Sequence, residues 1–214
     1  FRKKYGYITK FRIVPLNFGE YDDQRIFDFE EVGISTKDMS FKEYLSLRAL
    51  ALLVESLVNG KPFYEFFKYA KNFNIKAADL LKTMYENINL ASSNIQGIMD
   101  GFVEETKGEL WDSEEELVAH YKIAENYQKL RDGKVGGNLI YKYKSKNLVE
   151  AGLDWADFFE DQVFKEIKKK QINAKSFQSI QSEISEISKF CKFKINGLLN
   201  PNINVSPIET EFKY

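Results

Sequence analysis

Apolar and polar positions change their period once along this chain. In residues 7–14 they alternate, and Tyr7, Phe11 and Ile13 share one side of an extended segment, the period-two pattern of a strand. Pro15 is read as its end, and residues 17–23, around Gly19, as a turn-rich loop. Residues 25–32 predict a second strand, so the N-terminal unit is hairpin-like. From Ser40 onward the spacing becomes three and four. No proline occurs between Phe63 and Asn200, which suits a run of helices.

The helix signals are local. Ser40 and Glu43 have the spacing of a capping box, with the hydroxyl accepting from the N3 amide and the carboxylate from the N-cap amide. That helix is expected to reach about Asn59, with Gly60 as a left-handed stop. Its segment Ala49 to Val54 is apolar nearly all round, so it is expected at the centre of a bundle. Pro62 suits the first turn of a helix carrying Phe63, Phe66, Phe67 and Ala70. Apolar stripes predict further helices near residues 76–88 and 93–106. Ser113 and Glu116 form a second capping box, followed by short helices through Tyr121 and over residues 124–132. Asn138 is expected to cap the next helix and Asp154 the one after it. Ile180, Ile184, Ile187 and Cys191 mark the last. From Lys192 the chain reads as a loop-like or β-like extended tail containing Pro201 and Pro207. The fold class expected is mainly α: an irregular multi-helix bundle with a short N-terminal β-strand pair.

Composition narrows the function. The 214 residues are 43% hydrophobic and 15% aromatic, enough for a sizeable core and unlike a disordered chain. Lys plus Arg is 31 and Asp plus Glu is 32, a formal net charge of -1. Generic nucleic-acid binding needs a cationic surplus to release counterions, so no nucleic-acid partner is expected. No apolar run approaches the length of a membrane span, so no membrane partner is expected, and the localisation expected is cytoplasmic. Cys191 and His120 are the only residues of their types. They exclude an intramolecular disulfide, a multi-cysteine zinc site and a two-histidine metal motif within the chain.

Four features could carry chemistry. Residues 100–120 form an acidic belt (Asp100, Glu104, Glu105, Glu109, Asp112, Glu114, Glu115 and Glu116) with one lysine, Lys107. It reads either as a cation site or docking face, or as a solvated helix face and a helix N-terminus that favours acids. The second reading is preferred, because the spacing matches no calcium loop. Residues 121–146 are cationic, with Tyr141 and Tyr143 interleaved, and are expected to pair with the acidic belt. The segment Gly133-Lys134-Val135-Gly136-Gly137-Asn138 could cradle an anion, but it lacks the P-loop pattern and is read as a tight helix connection. His120 is expected at the surface or in packing, Cys191 as an inert core thiol, and Trp111 and Trp155 as anchors. No catalytic, cofactor-binding or metal-ligating residue is assigned.

Four stretches go further. Phe11-Arg12-Ile13-Val14-Pro15 with Phe18-Gly19-Glu20-Tyr21-Asp22 is the first. Thr36-Lys37-Asp38-Met39-Ser40-Phe41-Lys42-Glu43-Tyr44-Leu45, continuing through Leu53-Val54-Glu55 and Asn59-Gly60, is the second. Glu109 through Leu117 is the third, and Gly136 through Tyr143 the fourth. In this order they resemble the C-terminal region of cobalamin-binding-type radical S-adenosylmethionine proteins, over roughly residues 7–150. The resemblance implies a parent enzyme whose partial α/β barrel holds a [4Fe–4S] cluster and S-adenosylmethionine, with cobalamin in the closest resemblance. The chain has no C-x-x-x-C-x-x-C loop, and Val118 stands where a D-x-H-x-x-G cobalamin signature around His120 would need aspartate. No cofactor is therefore expected on this chain, and the cofactor residues are expected upstream.

The chain opens at Phe1 and ends in Glu211-Phe212-Lys213-Tyr214, and the expectation is a piece cut from a longer protein. Residues 1–35 are read as a strand pair and loop abutting the absent barrel of the same parent chain. Residues 36–191 are read as a helical domain and residues 192–214 as the tail. The function expected is a non-catalytic accessory domain that caps the barrel or shapes its substrate cavity. Its isolated form is expected to self-associate weakly. The alternative is a stand-alone helical interaction module docking through residues 100–146.

Overall fold

The structure, a computed structural model, describes residues 1–170 and 176–199. These form ten α-helices and one two-stranded antiparallel sheet, so the protein is mainly α with a β pair near its N-terminus. The described residues divide into two compact units: 1–49 with 100–142, and 50–99 with those from 143 to 199. Residues 1–35, read from sequence as a separate piece, therefore share a unit with segments far along the chain.

In the first unit a short helix, α1 (Arg2–Tyr5), precedes strands β1 (Ile8–Tyr21) and β2 (Gln24–Ser35). The hairpin is longer than the alternation predicts, and the expected loop over residues 17–23 is instead strand up to Tyr21. Tyr21 pairs with Gln24 across a two-residue turn, Asp22-Asp23, whose φ angles are 48° and 61°. Both values are left-handed, as a tight hairpin turn of the type I′ kind requires. Pro15 does not end β1. Ile13 pairs with Phe29, and the next paired residue, Phe18, meets Phe27. Residues 14–17 bulge out of the ladder, with Leu16 at φ 65°. Proline has no N–H to donate, and in a bulge none is required.

One face of the hairpin is covered by α6 (Glu114–Lys122) and α7 (Ala124–Arg131). Ile13 and Phe27 are buried there with Leu117, Tyr121, Tyr127 and Leu130. The Phe27 ring lies 6.1 Å from that of Tyr121 and 6.0 Å from that of Tyr127. Ser113 caps α6, accepting from the Glu116 amide at 3.2 Å. At Ser40 both halves of the predicted capping box form. It opens α2 (Phe41–Leu53), where the Ser40 amide donates to Glu43 Oε2 at 2.7 Å and the Glu43 amide to Ser40 Oγ at 3.2 Å.

The second unit is helical. It holds α3 (Tyr64–Lys71), α4 (Ala77–Glu86), α9 (Gly152–Lys169) and α10 (Phe177–Leu199). It also takes in parts of α2, of α5 (Ser93–Gly108) and of α8 (Leu139–Val149). Helix α9 is central: α3, α4 and α10 all pack on it. Phe159 of α9 lies 5.0 Å from Phe63 and 5.1 Å from Phe66, ring centre to ring centre. After α2 the chain continues as a π-helical turn, Val54–Val58. That wider turn leaves Ser56 and Leu57 fully buried. Asn147 donates to Ser56 Oγ and accepts from Trp155 Nε1, both at 3.0 Å, so this buried polar chain is satisfied. The segment Ala49 to Val54 is buried on one side only, because Ala51 and Val54 face solvent.

Two helix ends differ from expectation. Asp154 is not the cap of α9, whose N-cap is Ala151. Asp154 lies in the first turn, where its carboxylate accepts from Ser92 Oγ at 3.0 Å and from Asn94 Nδ2 at 3.1 Å. Residues 192–199 are helical and not extended, because Ile195 continues the buried stripe of Ile184, Ile187 and Cys191. The rest of the predicted tail lies outside the described residues.

Candidate functional site

The groups with the most chemical potential gather in the first unit. The backbone of Phe11 exchanges two hydrogen bonds of 2.8 Å with that of Trp111. This isolated bridge lays residues 109–112 along the outer edge of β1. Glu109 and Asp112 thereby reach the cations of that strand. Lys10 Nζ lies 2.7 Å from Asp112 Oδ1, and Arg12 Nη1 donates to Glu109 Oε1 at 2.8 Å. Arg12 Nε also donates to Glu30 of β2 at 2.7 Å. Arg48 of α2 adds a second cation, its Nη2 3.9 Å from Glu109 Oε1. The Arg48 guanidinium lies 5.6 Å from the Phe102 ring centre, and its buried Nε has no hydrogen-bond partner among the described residues.

Electrostatics follow from burial. Burial raises the Glu109 carboxyl above the ordinary carboxylate range, although Arg12 and Arg48 pull it down. Burial works against the Arg12 charge, but its hydrogen bonds to Glu109 and Glu30 outweigh this and raise its pKa. Burial likewise raises the phenols of Tyr44 and Tyr121. Trp111 presents its indole N–H to the Tyr121 phenol closely enough to oppose that rise, yet makes no hydrogen bond of good geometry.

Beside this cluster is a cavity of about 360 Å³. Glu105, Gly108 and Glu109, at the end of α5 and just beyond it, form one wall. Ile13 and Tyr121 contribute from β1 and α6, and the loop Lys134–Gly136 with Leu139 closes the far side. The loop needs its glycines. Gly136 has φ 71°, and a Cβ there would meet Leu130 Cδ2 at 2.4 Å. As the sequence predicts, Asn138 caps α8, its Oδ1 accepting from the Tyr141 amide at 3.3 Å.

The sequence candidates are distributed as follows. The acidic belt and the cationic segment spend several charges on each other and on β1. Lys142 pairs with Glu105 at 2.6 Å, and Lys134 with Asp132 at 3.2 Å. Glu114, Glu115 and Glu116 sit in the first turn of α6, where the helix dipole favours acids. The His120 ring lies tilted against Trp111, 4.5 Å between ring centres, and burial, then Lys129, lower its pKa. Cys191 is buried and its thiol is pushed up to about 12, first by burial and then by Glu65. Trp155 is fully buried, whereas Trp111 is half-buried at the edge of the first unit's core.

A second cavity, about 320 Å³, lies in the other unit beside Asp157, Glu160 and Asp161. Asp157 is paired with Lys192 and Asp161 with Lys165. Among the described residues no group of His, Cys, Asp or Glu is arranged to hold a metal ion.

The chain matches no family model, no curated protein and no solved structure. Geometry alone therefore marks the site. Arg12, Arg48 and Glu30 escape sequence reasoning because each is one charge on an otherwise ordinary strand or helix. The available signal is the set of four resembling stretches. They supply Arg12 and Ile13, Tyr44 and Arg48, Glu109, and Gly136 and Leu139 respectively, and each contributes to this cluster or its cavity.

Proposed function

We propose that this chain is the C-terminal accessory domain of a cobalamin-linked radical S-adenosylmethionine enzyme, with its cluster and S-adenosylmethionine sites in a preceding barrel. The observation that carries this reading is the convergence just described. Four stretches separated by tens of residues carry the resemblance, and side chains from all four meet at one charged cluster and cavity.

The chain's own residues do not fit an iron–sulfur cluster. Such a cluster takes several thiolates, and Cys191, the single cysteine, is buried with its thiol pushed up to about 12. In this reading the domain's part is to cover the barrel opening and keep water from a radical intermediate. The hairpin supplies apolar contact surface for that role: Ile8, Leu16, Tyr21 and Ile26 are all more than half exposed. The competing reading, docking through residues 100–146, relies on charges already engaged in Glu105–Lys142, Asp112–Lys10 and Glu109–Arg12 pairs.

The test is anaerobic purification of the full parent protein encoded by the gene. The expected result is a C-x-x-x-C-x-x-C loop upstream of Phe1, a reducible [4Fe–4S] signal in electron paramagnetic resonance, and formation of 5′-deoxyadenosine from S-adenosylmethionine. A parent protein without that loop overturns the proposal.

A further inference from the structure

We propose that Asn59 is a site of spontaneous deamidation, a modification that sets a carboxylate beside the Glu55–Lys144 ion pair. It depends on the backbone around Asn59 and is independent of the chain's parentage.

Asparagine followed by glycine occurs twice in the sequence, at Asn59-Gly60 and at Asn196-Gly197. Deamidation needs a backbone nitrogen that base can reach and that is free to swing onto the side-chain carbonyl. Glycine leaves that nitrogen uncrowded and permits the swing. The fold meets these conditions at the first pair. Asn59 has φ −69° and ψ 131°, Gly60 has φ 83°, and the Lys61 amide donates to the Val58 carbonyl at 3.0 Å. This is a type II turn with Asn-Gly at its centre. Both residues are exposed, and a methyl group on Gly60 Cα would meet nothing within 4 Å. Among the described residues the Gly60 N–H has no hydrogen-bond partner. Asn196 and Gly197 lie instead inside α10. There the Gly197 N–H belongs to the helical ladder, and the buried Ile195 anchors the turn.

Hydroxide and water are the only co-reactants. Hydroxide takes the Gly60 amide proton, and the nitrogen forms a bond to Asn59 Cγ. The Cγ–Nδ2 bond breaks, and the nitrogen leaves as ammonia with a proton from water. Water then opens the succinimide at either carbonyl, giving aspartate or isoaspartate. The product changes its surroundings. Asn59 Nδ2 donates to Glu55 Oε2, and Lys144 Nζ lies 2.6 Å from Glu55 Oε1. Lys144, then Asn59, hold the Glu55 carboxyl below the usual range. Deamidation removes that donor and places a like charge four residues from Glu55, an unfavourable spacing at a helix end.

The test ages the 214-residue chain at mildly alkaline pH, folded and in urea, and follows both Asn-Gly pairs by peptide mapping and mass spectrometry. In the folded chain the Asn59 peptide should gain the mass of an NH2-to-OH exchange and separate into aspartate and isoaspartate forms. Asn196 should react about tenfold or more slowly, because a helical position reacts through local opening. In urea the two rates should converge. Asn59→Gln should abolish the gain, and Asn59→Asp should raise the titration of Glu55 and lower the melting temperature. An Asn59 that keeps its mass in the folded chain, an Asn196 that keeps pace with it there, or a rate difference that persists in urea overturns the site. An Asn59→Asp chain in which Glu55 titrates as before overturns its effect on the ion pair.

Discussion

Glu109 and Glu43 show how one side chain acquires opposite properties from its surroundings. Glu43 lies on the surface, and hydrogen bonds from the Ser40 amide and hydroxyl hold its carboxyl below the usual range. Burial holds Glu109 above that range in spite of two arginines. The stability linked to each group changes with pH in opposite directions. For Glu109 the folded form binds the proton more tightly. Its contribution is fully present below the unfolded-state pKa and is lost as pH rises through the folded one. For Glu43 the contribution is present above the unfolded-state pKa and is lost as pH falls through the folded one. Carboxyl-carbon NMR titration should place Glu109 above the ordinary glutamate value of 4.5 and Glu43 below it. A Glu109 midpoint under that value would mean that the arginines outweigh burial.

Among the elements, the hairpin carries the most backbone strain. Asp22 and Asp23 both adopt positive φ, and so does Leu16 in the bulge. Aspartate tolerates the left-handed region better than most residues, but glycine adopts it freely. Replacing Asp22-Asp23 with Asn-Gly keeps the turn type and relieves the second position. The left-handed strain relieved, about 1–2 kcal/mol, exceeds the unfolded-state entropy a glycine adds, about 0.4–1 kcal/mol, so the double variant should gain about 0.5–1 kcal/mol in thermal or denaturant unfolding. No gain, or a loss, would show that Asp23 makes a compensating interaction. The bulge has a different role. It lets Ile13 and Phe18 both reach the core formed with α6 and α7 although Pro15 intervenes.

For the whole molecule, large apolar side chains exposed on the first 26 residues set the solution behaviour. Leu16 is 84% exposed, Tyr21 68%, Ile8 59% and Ile26 52%. The opposite side of the hairpin is packed on α6 and α7, and among the described residues none covers these side chains. Apolar patches of this kind drive association. Sedimentation over a concentration series should show the isolated chain self-associating weakly, and Leu16→Asp with Ile26→Lys should return it to a monomer. A chain that stays monomeric at all concentrations would contradict this. Among the described residues no helix is long and apolar enough to cross a membrane.

What the sequence determined by itself is what one or two turns of chain can encode. The capping box at Ser40, the N-caps at Ser113 and Asn138 and the stripes of α5, α9 and α10 follow from residues three or four apart. Those neighbours touch in any helix, whatever lies around it. Local signals failed where a distant partner decided the outcome. Pro15 reads as a stop, yet β2 and the core beneath it carry the strand past. Lys192 reads as the start of a tail, yet the burial of Ile195 keeps the helix going to Leu199. The site was the least legible of all. Arg12, Glu30, Arg48 and Glu109 are ordinary charges in the linear pattern. Only the tertiary structure decided their role, because the pairing across Phe11 and Trp111 draws Glu109 out of water and against Arg12. The chemistry of a carboxylate depends on the desolvation and charges around it, and those are supplied by residues remote in sequence.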